Sequence, residues 1–354
     1  MTSKFLLLFG GFALATALAS TAHAKPATVV NCDANRNNDI QAAVDAASPG
    51  DTIFINGNCT DQNVSITKDD ITLSGNEADA ACNRADPSAS ADATIHGTIT
   101  VDGVRAKIEH LVITGSGGGV TIINRADVDL TCNDISDNEE EGVGVIRSSN
   151  AVLRDNTLSG NGRRETDPSI FFDCGLFAVD ASSVRSEGNT YEDNQYCAVE
   201  IDRQSSFRNG AFLPRQAGPG QPANEKDVFT ELGCDPGTGT GCFTTDGGPV
   251  ALVVFNGGLV DLRNSEVNGE IEVTATSSLR FDADGKIQGN ILNTINSIIR
   301  IRNREKFLGD RQVTFDGTLI CDGSSQAYFS SVQCGETCSG IIGGDTLPNT
   351  CGGP

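Results

Sequence analysis

Apolar and polar residues alternate along this chain in short runs, and the runs come back at a fixed distance. Leu130-Thr-Cys-Asn133-Asp-Ile135-Ser-Asp-Asn138 returns as Leu153-Arg-Asp-Asn156-Thr-Leu158-Ser-Gly-Asn161 after 23 residues, and a third copy carries Asn189, Tyr191 and Asn194 after a further 33. Alternation with a period of two predicts half-buried strands. Its return predicts a solenoid, in which each turn buries its apolar face only against neighbouring turns. The extra length of the second repeat lies around residues 162–173, where a loop leaves the regular coil. Ser182-Ser183-Val184-Arg185 then aligns with Ser205-Ser206-Phe207-Arg208, and Cys174 with Cys197, both at an offset of 23. Parallel strands lie ~4.8 Å apart, which a disulfide can span, so a Cys174–Cys197 bridge is expected. Ile135, Leu158 and Tyr191 should stack inside the tube. Asn133, Asn156 and Asn189 should form a ladder at a turn, in left-handed backbone geometry and bonded to the rung above.

Between Leu213 and Gly248 the pattern is lost in a Pro-, Gly- and Gln-rich excursion. It resumes when Val267-Asn-Gly269-Glu-Ile271 returns as Ile287-Gln-Gly289-Asn-Ile291, and Leu279-Arg280-Phe281 as Ile299-Arg300-Ile301, both at an offset of 20. One solenoid therefore runs past the excursion. At the other end, Ile40, Ala43, Val44 and Ala47 form one apolar stripe with helical spacing, with Asp39 as N-cap and Pro49-Gly50 as terminator. Thr52–Ile55, Asn63–Ile66 and Asp70–Gly75 read as strands. A helix before the first strands is placed to cover the open end of the stack.

Here the chain resembles the pectin-lyase-like superfamily of right-handed parallel β-helix (PbH1-repeat) proteins, which includes pectate lyases, pectin methylesterases, polygalacturonases and alginate epimerases. The resemblance rests on Ile40-Gln41-Ala42-Ala43-Val44-Asp45-Ala46-Ala47, Gly50-Asp51-Thr52-Ile53 and Ile71-Thr72-Leu73-Ser74-Gly75. It implies an all-β, right-handed parallel β-helix solenoid with a short capping helix, and a carbohydrate partner. It does not select a chemistry, because one scaffold carries many activities. The Gly-His-Gly element of polygalacturonases is absent, since the nearest text is Ile95-His96-Gly97. Asp167-Pro168-Ser169 lacks the histidine of the epimerase Asp-Pro-His-Asp.

Composition narrows the setting. Lys4 followed by the apolar run from Phe5 to Leu18 and Ala22-His23-Ala24 reads as a signal peptide over residues 1–24, cleaved after Ala24. The expected layout is then the β-helix over 25–320, with an excursion at 213–248, and a Cys/Gly-rich cap or tail over 321–354. All 12 cysteines follow the leader, and an even count in an exported chain favours disulfides. Besides Cys174 and Cys197, the candidates are Cys32, Cys59, Cys234 with Cys242, Cys321 with Cys334, and Cys338 with Cys351. A net charge of −22 disfavours nucleic acid and anionic membranes as partners, and no later stretch spans a membrane.

Two groups of charged residues are candidates for function. Arg185 aligns with Arg208, and Arg280 with Arg300. Stacked guanidinium groups suit carboxylate-bearing sugars, so these four are candidates for binding polysaccharide; the alternative is that neighbouring Asp and Glu residues pair them on a solvated sheet face. Glu200 and Asp202, two apart on one strand, could join Arg208 in a catalytic set. With Asp173 they could also hold a cation, a Ca2+ ion being the candidate cofactor that the resemblance to the lyases implies. The expectation is an exported protein, secreted or periplasmic, that binds an extended, acidic polysaccharide or cell-surface glycan. Whether it also modifies the polymer, as a polysaccharide lyase or other carbohydrate-active enzyme, is open. The alternative is a non-catalytic, adhesin-like envelope protein.

Overall fold

The computed structural model describes residues 28–33, 39–75, 82, 93–115, 117–162, 174–195, 197–209, 227–230, 250–263, 265–282, 285–288, 291–293, 295–302, 313–316, 319–321, 326–330 and 332–334. Every strand pairing among them is parallel, and successive turns of the chain lay their strands on three faces. The first face runs from Thr28–Asn31 to Gln326–Ser330, the second from Ala93–His96 to Val332–Cys334, and the third from Val64–Ile66 to Leu319–Cys321. The first two join through Thr52–Cys59, whose first half pairs with Ile71–Ser74 and whose second half pairs with Ala93–His96. That strand runs well beyond the expected Thr52–Ile55. This is a parallel β-helix.

The sequence offsets are the rung register. Leu130 stands beside Leu153, Ile135 beside Leu158, Leu158 beside Tyr191, and Leu279 beside Ile299. Ile135, Leu158 and Tyr191 are fully buried. Tyrosine is tolerated in that column because its hydroxyl lies 2.9 Å from Ser186 Oγ, where the neighbouring inward column changes from Leu153 to a small polar residue.

The asparagine ladder forms, but not in left-handed geometry. The left-handed residue is the one before each asparagine: Cys132, Asp155 and Gly188, with φ of 58°, 55° and 69°. That bend turns the asparagine side chain inward, where it is fully buried. Asn133 Nδ2 donates to Asn156 Oδ1 (3.0 Å), and Asn156 Nδ2 to Asn189 Oδ1 (2.9 Å) and to the Leu130 carbonyl (2.9 Å). Asn138, Asn161 and Asn194 repeat the device one corner on. At the third corner Ser149 and Ser182 accept nothing from each other's side chains; instead the Ser149 and Ser182 backbone N–H groups donate to Ser182 Oγ and Ser205 Oγ. All three ladders satisfy backbone groups that a turn would otherwise leave buried and unpaired.

The helix, Ile40–Ala46, is capped by Asp39, whose carboxylate accepts from the Ala42 N–H at 2.9 Å. It ends at Ala47, short of Pro49-Gly50, and Lys68 Nζ donates to the Ala47 carbonyl at 3.0 Å. Ile40 and Val44 are buried against the first rungs. The excursion is less complete than its composition implies. Asp227–Thr230 pairs with Thr190–Glu192 on one side and Ser265–Asn268 on the other, so a rung of the second face lies inside it. The last segment likewise holds rungs, Gln326–Ser330 and Val332–Cys334. Short polar stretches hid both from the alternation test.

Three cysteine pairs are bonded among the described residues: Cys174–Cys197, with Cα atoms 4.6 Å apart on adjacent rungs, Cys32–Cys59 at 5.0 Å, and Cys82–Cys132 at 5.3 Å. The last pair has no counterpart in the sequence reading, because Cys82 stands outside the repeats. The leader and Cys234, Cys242, Cys338 and Cys351 lie outside the described residues, as do the side chains of Cys321 and Cys334.

Candidate functional site: a charged stripe on the first face

Alternation along each strand of the first face sends every second side chain outward, and the register stacks them into a column. Read down the helix, one column is Thr72, Lys107, Asp129, Val152, Arg185, Arg208, Asp261, Arg280, Arg300 and Tyr328. The four arginines expected to act together thus stand on one face, in one file. The sequence offsets had shown two separate pairs, and the loss of register across the excursion hid their union and hid Asp261 between them.

The two halves of this face differ in charge. In the upper half the cations are met by acids. Arg105 bridges Asp69 (3.1 Å) and Asp70 (2.8 Å), Arg154 bridges Asp129 (3.2 Å), and Lys107 bridges Glu109. Asp70, Arg105, Lys107 and Asp129 rim a groove of about 400 Å³, with Thr72, Asp127 and Val152 in its lining. In Asp69 the Arg105 guanidinium holds the carboxyl below the usual range. In the lower half Arg185, Arg208 and Arg300 are exposed. A small residue precedes three of the four arginines by two positions, Ser183, Ser206 and Ser278, so a hydroxyl stands beside each guanidinium on the same face. Asp261 is 7 % exposed and lies 3.8 Å from Arg280 Nε, and the Arg300 guanidinium sits 5.5 Å above the Tyr328 ring.

Glu200 and Asp202 are placed elsewhere. Glu200 belongs to Cys197–Ile201 on the third face, whereas Arg208 belongs to Ser206–Asn209 on the first. The expected set of Arg208, Glu200 and Asp202 is therefore not assembled on one face. Glu200 points outward between Phe177 and Val253, in the column that continues to Glu272. Ala198 and Val199 both belong to the core, so the alternation slips by one and Cys197 emerges on Glu200's side. The Cys174 sulfur lies 3.7 Å from Glu200 Oε2, and Val250 and Val253 complete an apolar cluster around the disulfide. Burial first, then Asp202 and Glu272, pushes the Glu200 carboxyl up to about 8, and burial also raises Glu272. Asp202 lies beyond the strand end, and its carboxylate accepts from the Arg203 N–H at 2.5 Å; Arg203 also bridges Asp180 at 3.3 Å.

A calcium ion needs six to eight oxygen ligands. Glu200 lies beside the Cys174–Cys197 disulfide with Asp202 and Glu272 as its acidic neighbours, and Asp173 lies outside the described residues. The close groups of three ligand residues among the described residues are Cys82, Cys132 and Asp155, and Cys174, Cys197 and Glu200; in each, two members are disulfide sulfurs. Neither of these two groups joins Glu200 to Asp202.

Residues 96–211 match the family model for a right handed beta helix region. The chain is a right-handed parallel β-helix. No curated protein matches it in sequence. Among solved structures this β-helix is similar to pectate lyase Pel9A, at 10 % identity and a TM-score of 0.46, over 88 % of this chain and 78 % of the other. The catalytic unit of a thermostable GH87 alpha-1,3-glucanase from Streptomyces thermodiastaticus strain HF3-3 matches at 14 % identity and 0.48, over 90 % and 71 %. An alginate lyase from Paenibacillus sp. strain FPU-7 matches at 13 % identity and 0.34, over 86 % and 99 %.

Proposed function

We propose that this β-helix is an exported protein that binds an extended acidic polysaccharide along the lower half of its first face, with Arg185, Arg208, Arg280 and Arg300 as the anion contacts. The observation that carries this reading is the single file of arginines at strand spacing, each of the first three with a serine at its side. A rigid file of planar donors on rungs ~4.8 Å apart, broken by Asp261 between Arg208 and Arg280, suits a linear polymer that carries carboxylates and hydroxyls along its length. Such a row costs little ordering on binding, because the strands are already fixed. Binding without cleavage is favoured over a lyase. A lyase needs its base and its charge-neutralising groups at one sugar, whereas Arg208 and the proton-holding Glu200 face outward from different sheets. Export rests on the leader-like first 24 residues and on the cystine pairs.

Titration calorimetry of the full mature chain with oligosaccharides of polygalacturonate, alginate and a heparin-like polymer tests this. At least one should bind, and Arg208→Ala and Arg300→Ala should each weaken it by about 1.5 kcal/mol, roughly tenfold. Ultraviolet absorbance of unsaturated ends should stay flat. Equal affinity in both variants would move the site off this stripe, and a rising absorbance would make the protein a lyase.

A further inference from the structure

We infer that Asp261 is a specificity-determining residue, which makes the stripe selective for acidic polysaccharides whose charge is interrupted over one that is charged at every sugar. This rests on the binding function proposed above and names its substrate class more closely.

The file of charges on the lower face runs Arg185, Arg208, Asp261, Arg280, Arg300, one residue per rung. Its central member is an acid between two bases. Asp261 is held there by three features. It is nearly buried, its carboxylate lies 3.8 Å from Arg280 Nε, and the register sets it directly beside Arg208. It relieves the repulsion that stacked guanidinium groups would otherwise suffer. It also fixes where a ligand's negative groups can lie. The ends of the file, Arg185 and Arg300, are exposed, and Arg300 is steadied over the Tyr328 ring. A polymer lying along the file meets positive, positive, negative, positive, positive.

The rise of a sugar in an extended chain is close to the strand spacing, so each rung faces about one sugar. A polymer with a carboxylate on every residue must set one against Asp261, where like charges meet in a partly dehydrated place. A polymer in which acidic and neutral sugars alternate escapes this. In one of its two frames it sets carboxylates on Arg208 and Arg280 and a neutral ring on Asp261. Selectivity thus comes from a repulsive element placed among attractive ones.

The test compares two oligosaccharides of equal length on the full mature chain, an oligogalacturonate with a carboxylate on every sugar and a hyaluronan fragment with one on every second sugar. The wild type should bind the alternating fragment more tightly. In Asp261→Asn the ratio of the two dissociation constants should shift by about tenfold toward the uniformly charged chain. Asp261→Ser, smaller and uncharged, should shift it the same way and serves if the asparagine variant is poorly folded. A dissociation constant does not depend on the fraction of folded protein. If neither chain binds the wild type, the selectivity given to Asp261 is wrong, and if alginate and the heparin-like polymer are also silent the proposed function fails with it. If both bind and the ratio is unchanged in the variants, or the wild type prefers the uniform chain, the role given to Asp261 is wrong and the binding function stands.

Discussion

At Glu200, burial and two acidic neighbours act in one direction, and the consequence is a pH dependence of opposite sign to that of most carboxylates. In the unfolded chain this group titrates near 4.3, and in the fold it is held to about 8. Between those values the folded state carries a proton that the unfolded state has lost. Stability therefore falls as pH rises through that window and levels off above it. The contribution is fully favourable below pH 4 and its loss is complete above about 8, amounting to a few kcal/mol. Glu272, raised by burial alone, adds a change of the same sign. Glu200→Gln removes the titration and keeps the shape. It should melt with the wild type just below pH 4 and above it at pH 8, as followed by circular dichroism. A wild type that becomes more stable relative to the variant as pH rises would mean that Glu200 is ionised in the fold and has a cationic partner.

The elements show what a sequence can disclose about such a fold. Strand positions, rung register and the inward columns were legible wherever two copies could be laid over each other, because register in a parallel solenoid is the repeat offset itself. The adjacency of Cys174 and Cys197 and the stacking of Tyr191 under Leu158 follow from it. What escaped lies where no second copy exists. Asp227–Thr230 is a single rung inside a Pro- and Gly-rich stretch, and Cys82, bonded to Cys132, stands outside the repeats. Faces escaped for a different reason. An offset says that Arg280 lies beside Arg300, but whether that pair shares a face with Arg185 and Arg208 depends on the rung Leu259–Arg263, which aligns with neither block by eye. The terminal helix was readable because capping and amphipathic spacing are local signals. Its role gives an element-level prediction. Val44, 1 % exposed, closes the end of the core. Val44→Asp buries a charge there, costs about 3 kcal/mol or more in urea unfolding, and uncovers rung edges that pair with another copy. Sedimentation should show concentration-dependent association. Ala46→Asp, on the exposed side of the same helix, should stay within about 0.5 kcal/mol of the wild type and remain dispersed. If both variants behave alike, the helix is not a cap.

Over the whole molecule, the stripe poses an electrostatic contradiction that is itself testable. The chain carries a net charge of −22, yet the proposed ligand is also negative and its contacts are arginines confined to one half of one face. Two ranges of interaction must be separated. At distances beyond a Debye length, ~10 Å at 0.1 M salt, an approaching polyanion feels the summed negative field and is repelled. In contact it feels guanidinium groups at hydrogen-bonding distance, which salt weakens but does not abolish. Added salt should therefore act on the two rate constants separately. Association should speed up from about 0.02 to 0.2 M NaCl as long-range repulsion is screened, while dissociation also speeds up as the contacts loosen. Affinity then passes through a maximum, in contrast to the monotonic fall seen when a basic protein binds a polyanion. Stopped-flow mixing with a fluorescently labelled acidic oligosaccharide resolves both constants. Arg185→Ala should raise the dissociation rate and leave the salt-induced rise in association in place, because one arginine hardly changes the overall field. An association rate that falls steadily with salt would mean that the arginine file governs the approach as well as the contact, and that the negative charge is carried on surfaces the polymer never meets.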